Sequence, residues 1–67
     1  MIRLTVNGKS RELTEPISLA DFLAAFHLDR RMIVVEHNGE ILPRDRYGEV
    51  MLADGDVLEI VHMVGGG

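Results

Sequence analysis

The sequence predicts an α+β domain: a mixed sheet of four to five strands crossed by one main helix. Three observations carry that reading. Ile2, Leu4 and Val6 alternate with Arg3 and Thr5 up to an Asn7-Gly8 dipeptide, the pattern of a strand entering a tight hairpin. Leu19, Phe22, Leu23 and Phe26 recur at i, i+3, i+4 and i+7, a single helical stripe. Two apolar runs rich in β-branched residues, Met32 to Val35 and Val57 to Val64, read as strands in the sheet interior.

The elements follow in order. After Asn7-Gly8 a second strand, about Lys9 to Leu13, is polar at most positions, as suits a sheet edge that must not recruit another chain. It ends near Thr14-Glu15-Pro16. Ser18 is the expected N-cap of the helix, with Asp21 three residues on in capping-box position, and His27 and Leu28 close it. The stripe holds both phenylalanines, so the helix is expected to lie across the sheet.

Met32 to Val35 then reads as an interior strand, Asn38-Gly39-Glu40 as a turn, and Ile41-Leu42 as a short strand stopped by Pro43. Arg44 to Glu49 is polar, with Tyr47 and Gly48 inside it, and reads as a loop or single helical turn. Val50-Met51-Leu52 follows it, and Asp54-Gly55-Asp56 reads as a tight turn. Val57 to Val64, the longest apolar segment, is expected at the centre of the sheet, parallel to the first strand, because a helical connection permits that return. Hairpin, helix and two or three further strands make a β-grasp, or ubiquitin-like, arrangement. The expected organisation is a domain over 1–64 and a flexible glycine tail over 65–67.

Size and composition narrow the function. A 67-residue chain makes one domain that buries only about 60% of its unfolded surface, which leaves no room for an enclosed active site, so catalysis by the chain alone is not expected. The hydrophobic share of 46% with 27% charged residues is that of a folded domain rather than a disordered one. With a net charge of −4 and no basic run, the chain would repel a phosphate backbone, so nucleic acid is not an expected partner. No apolar stretch approaches the roughly 20 residues that span a bilayer, and no signal-like start is present, so a cytoplasmic protein without a membrane contact is expected. There is no cysteine, which excludes a disulfide scaffold, a zinc–thiolate site and a cysteine-borne persulfide.

What remains is the glycine run Gly65-Gly66-Gly67 after the last strand. Glycine holds a fixed conformation worst of all residues and packs nothing, so a structural role explains this run poorly. Three extended residues reach about 10 Å and six about 20 Å, enough to thread a narrow channel in another protein that side chains would block. At neutral pH the carboxyl group of Gly67 would be an anion, inert toward nucleophiles until activated. An adenylating partner would let a Gly67 oxygen attack the α-phosphate of ATP, and the resulting acyl-adenylate would accept a sulfur nucleophile at an uncrowded carbon.

Across its whole length the chain resembles the sulfur-carrier proteins of thiamine biosynthesis, the ThiS family. The residues that carry the resemblance are the Asn7-Gly8 hairpin, Val34-Val35-Glu36 leading to Asn38-Gly39-Glu40-Ile41, Pro43-Arg44 with Arg46-Tyr47, and Asp54-Gly55-Asp56. The most specific block is Glu59-Ile60-Val61-His62 followed by Val64-Gly65-Gly66-Gly67. Met63 departs from the pattern, standing where the family has an aromatic residue, but keeps the position large and apolar. The resemblance implies that Gly67 is adenylated by a ubiquitin-activator-like adenylyltransferase and becomes a thiocarboxylate. It further implies delivery of the sulfur to thiazole synthase and a donor of the cysteine desulfurase type. ATP and Mg²⁺ would belong to the activating partner, with no cofactor bound by this chain.

Other readings stay open at this point. The small subunit of molybdopterin synthase shares the fold, the terminal Gly-Gly and the thiocarboxylate; a ubiquitin-like modifier would instead join Gly67 to a lysine amine; a pure binding module would leave the tail idle. His27, His37 and His62 lie on separate elements without metal-ligand spacing, so no metal is expected, and His62 reads as a solvent-facing strand histidine. Asn7-Gly8, Asn38-Gly39 and Asp54-Gly55 read as turns alone, and Arg44 and Arg46 as solvated loop residues. The last strand has more apolar positions than one buried face needs. Leu58, Ile60 and Val64 fall on one side and Val57, Val61 and Met63 on the other, so the side facing away from the helix is expected to be a partner-docking patch, and Val61, Met63 and Val64 are the candidate docking residues.

Overall fold

The computed structural model describes residues 1–63. Its elements run β1 (Ile2–Val6), β2 (Lys9–Leu13), α1 (Leu19–Ala25), a 3-10 turn at Arg30–Met32, β3 (Ile33–His37), β4 (Glu40–Ile41), a 3-10 segment at Arg44–Glu49 and β5 (Val57–His62). The strands form one sheet in the order β2-β1-β5-β3-β4, so β5 lies at the centre as expected. It runs parallel to β1, with Thr5 opposite Val57, and antiparallel to β3, with Val35 opposite Ile60. This is the β-grasp arrangement, with α1 across one face.

Local chemistry explains most of the boundaries. Asn7 (φ 51°) and Gly8 (φ 79°) both take the left-handed conformation, the geometry of a two-residue turn whose twist matches its flanking strands. Ser18 caps α1 by accepting the Asp21 N–H at 3.1 Å. At the other end the His27 N–H bonds to the Ala24 carbonyl and the Leu28 N–H to the Leu23 carbonyl, a Schellman closure. His27 fills the position usually given to glycine, at φ 58°.

The core between α1 and the sheet is built from Leu4, Leu19, Phe22, Leu23, Ile33 and Val35, with Leu58 and Ile60 beneath the helix from the central strand. Three expectations, for Tyr47, Phe26 and Met32, need correction. Tyr47, read as part of a polar loop, is 1% exposed and belongs to the core, because the 3-10 segment carrying it packs against α1. Phe26, read as core, is 44% exposed; it lies past the end of α1 and meets Phe22 edge-on at 4.8 Å. Val50-Met51-Leu52 lies outside the sheet. Met51 forms an isolated bridge to Ser18, and this stretch spends its hydrogen bonds on Ile17 and Leu19, the chain entering the helix. Met32 belongs to a 3-10 turn capped by the Asp29 carboxylate, so β3 begins one residue later than expected.

Candidate functional site: the exit of the central strand

Each side of β5 has a different character, and the alternation of strand side chains sets it. Leu58 and Ile60 point into the core, whereas Val57, Val61 and Met63 are 42%, 58% and 40% exposed on the face turned away from α1. Val61 stands directly opposite Val34, and the Met63 N–H donates to the Met32 carbonyl at 2.8 Å. Met32, Val34, Val61 and Met63 thus make a continuous apolar patch where the strand leaves the sheet. Val64 and the glycines Gly65, Gly66 and Gly67, predicted from the sequence as docking, threading and reacting residues, lie outside the described residues.

Further along this outer face Glu36 stands opposite Glu59 on β5 and opposite Ile41 on β4. Like charges facing each other across a ladder are unfavourable by a few tenths of a kcal/mol to about 1 kcal/mol. The outer face therefore presents an apolar patch beside a pair of carboxylates, an arrangement complementary to an apolar surface with a basic rim.

At the opposite end of β5 three polar side chains fix where the strand starts. The Asp56 carboxylate accepts the Ala53 N–H at 2.8 Å and the Asn38 side-chain amide at 3.2 Å, and lies 2.9 Å from His37 Nε2. Asn38 Oδ1 in turn accepts the Val57 N–H at 2.8 Å. Burial pushes the Asp56 carboxyl up, but the bonds from His37, the Ala53 N–H and Asn38 outweigh it and hold the group below the usual carboxylate range. Asn7 clamps the middle of the strand from the β1 side. Its Oδ1 accepts the Ile60 N–H at 2.7 Å and its amide donates to the Ile60 carbonyl at 3.1 Å.

The dipeptides Asn7-Gly8 and Asn38-Gly39 are thus turns and also strand clamps, a second role the sequence reading missed. Its signal was present: asparagine rather than aspartate at both positions supplies a donor and an acceptor on one side chain. Of the three histidines, His37 joins the Asp56 network, whereas His27 closes the helix and His62 is exposed on the helix side of β5. Among the described residues no three His, Cys, Asp or Glu side chains are grouped to hold a metal ion. Arg44 is exposed, and Arg46 pairs with Glu49 at 3.1 Å on the surface. Among the described residues no helix is long and apolar enough to cross a membrane.

The assembled device is a central strand pinned at its start and middle whose far end leads toward the glycine run. Comparison with known proteins agrees with that reading. The ThiS family model matches residues 4–67. The chain is 45% identical over 65 residues to the sulfur carrier protein ThiS of Bacillus subtilis, covering 96% of this chain and 98% of that one. It is 38% identical over 66 residues to a thiazole synthase of Paramagnetospirillum magneticum, where 98% of this chain corresponds to 20% of that protein's length. The crystal structure of a thiamine biosynthesis protein (ThiS) from Geobacter metallireducens superposes with a TM-score of 0.84 at 33% identity, covering 98% of this chain and all of that one.

Proposed function

The chain belongs to the ThiS family, and from that premise we propose how it works as a sulfur carrier of thiamine biosynthesis, a carried substrate rather than an enzyme. Gly67 is the reacting residue. One of its carboxylate oxygens attacks the α-phosphorus of ATP, a new C–O–P linkage forms, and the bond to the β-phosphate breaks to release pyrophosphate. A sulfur nucleophile at the level of sulfide then adds to the acyl carbon and expels AMP, leaving a thiocarboxylate. Where the sulfur arrives as a persulfide on a cysteine desulfurase-type donor, its outer sulfur adds to the acyl carbon as AMP leaves, and an external thiol then cleaves the resulting acyl disulfide, releasing the thiocarboxylate and ending as a disulfide with the donor. ATP and Mg²⁺ are held by the adenylyltransferase, a relative of ubiquitin activators.

The observation that carries this reading is that the family match runs through Gly67. Gly65 and Gly66 thread the reacting end into each partner in turn, because they present no side chain to obstruct a channel. Val61, Met63 and Val64 dock the domain beside that channel. For Val61 and Met63 the support is the exposed apolar patch they form with Met32 and Val34, since a small domain loses solubility by showing such a surface without a use for it. Thiazole synthase is the acceptor, a reading supported by synthase relatives that contain a region matching this chain.

ATP consumption tests the scheme. With the adenylyltransferase and ATP, the full chain should support pyrophosphate release and the chain shortened by Gly67 should not. Equal release from both would remove Gly67 from its proposed role. Transfer to lysine amines, seen as higher-mass conjugates in place of a thiocarboxylate, would indicate a modifier instead.

A further inference from the structure

The central strand has one stretch of open edge. On its β3 side the backbone groups of residues 57, 59, 61 and 63 are used, as the Asn38–Val57 and Met32–Met63 bonds at the two ends show. Residues 56, 58 and 60 face the other way: the Asp56 and Leu58 carbonyls accept the N–H groups of Thr5 and Asn7, and Ile60 is held by the Asn7 side chain. The next residue on that side is His62. By then β1 has turned away at Asn7-Gly8, and among the described residues no group pairs with the His62 N–H and C=O.

Beside this open edge lies a cavity of about 220 Å³. Val6, Phe22, Phe26 and Leu28 supply its apolar lining, and the exposed Arg11 and His62 also line it. The volume falls below the roughly 300–1,000 Å³ of small-molecule sites and suits one bulky side chain. Among the described residues no acidic side chain lines it, although the chain as a whole carries a net charge of −4. The Arg11 guanidinium, 5.3 Å from the centre of the Phe26 ring, holds a positive charge over the cavity.

We infer that this corner receives an extended segment of a partner protein, which adds as a strand to the β5 edge at His62. Its bulky apolar side chain enters the Phe22–Phe26 cavity and a neighbouring carboxylate meets Arg11. Backbone pairing supplies affinity and the cavity supplies selectivity, the usual division in strand addition. The Asn7 clamp sets the register by satisfying Ile60 within the chain, so that pairing with the partner begins at His62. The proposal rests on the reading that a partner takes up the tail, and it places the partner on the helix-side edge as well as on the outer face that carries Val61 and Met63.

Amide hydrogen exchange followed by NMR tests it, on the full chain alone and saturated in turn with the adenylyltransferase and with thiazole synthase. In the free chain the His62 amide should exchange fast while the Val61 and Met63 amides, bonded to β3, are slowed. In at least one complex the His62 amide should become protected, and Arg11→Glu should weaken that complex by about tenfold or more while leaving the melting temperature of the free domain in place. If both partners bind and His62 still exchanges fast, or Arg11→Glu binds as tightly as the unaltered chain, the strand addition is wrong and the carrier reading stands. If neither partner binds, the carrier reading fails and this proposal with it. Protection of His62 in the free chain that grows with concentration would assign the edge to a second copy and overturn the partner assignment.

Discussion

His37 Nε2 lies 2.9 Å from the Asp56 carboxylate, tying the last residue of β3 to the residue just before the central strand. The Asp56 carboxyl is raised by burial but lowered further by its bonds from His37, Ala53 and Asn38, so its folded pKa lies below the unfolded one. A depressed carboxylate stabilises the fold above the unfolded pKa, about 3.9, and that contribution is lost as pH falls through the folded value. Asp56→Asn should therefore cost about 1–3 kcal/mol near neutral pH. Urea titrations of both proteins should show the gap between them closing as the pH is lowered below about 4.

The double hydrogen bond from Asn7 to Ile60 calls for a substitution that leaves the turn intact. Glycine accepts the positive φ of Asn7 and deletes only the side chain, so Asn7→Gly isolates the clamp. We expect a loss of about 1–2 kcal/mol in urea unfolding, together with faster exchange of the Ile60 amide. Slow exchange at Ile60 in this variant would show that the clamp contributes nothing to holding the strand.

His27 offers the opposite experiment. A β-carbon in the left-handed conformation costs roughly 1 kcal/mol, and the His27 side chain is exposed. His27→Gly should stabilise the domain by about 0.5–1 kcal/mol, read as a higher urea midpoint at unchanged slope.

Docking and folding separate cleanly along β5. Val61→Asp and Met63→Asp alter exposed side chains and should leave the melting temperature nearly unchanged while weakening the complex with the adenylyltransferase. Leu58→Ala, at a fully buried neighbour on the same strand, should cost about 2–5 kcal/mol and reduce binding only through loss of folded protein. Unchanged binding by both aspartate variants would remove the outer face from the docking surface.

The features that were legible in the sequence are those written in local chemistry. Asn7-Gly8 announces its turn and Ser18 its cap, because each depends on neighbours within a few residues, and the apolar length of the last strand, β5, announces its central place. Tyr47 was unreadable as core because its neighbours are polar and only the packing of its 3-10 segment against α1 buries it. Val50-Met51-Leu52 has strand composition, yet its backbone finds partners at Ile17 and Leu19 instead of in the sheet. The asparagine side chains at 7 and 38 show the bonding capacity for their second roles, but the partners lie 53 and 19 residues away, so the sequence does not identify them. At the candidate site, alternation alone separated Leu58 and Ile60 from Val57, Val61 and Met63, whereas the open edge at His62 emerged only once β1 was seen to leave the ladder.

The central claim, that Gly67 carries the sulfur, has a direct measurement because the chain has no cysteine. After incubation with ATP, the adenylyltransferase and a sulfur donor, a thiol-selective alkylating reagent can label this chain only at a thiocarboxylate. The label must be located on the C-terminal peptide, since exchanging oxygen for sulfur changes the intact mass almost as much as oxidising one of the four methionines. The account predicts an ATP-dependent label on the peptide ending at Gly67; a C-terminal peptide that stays unlabelled while the enzyme and donor are active would contradict it.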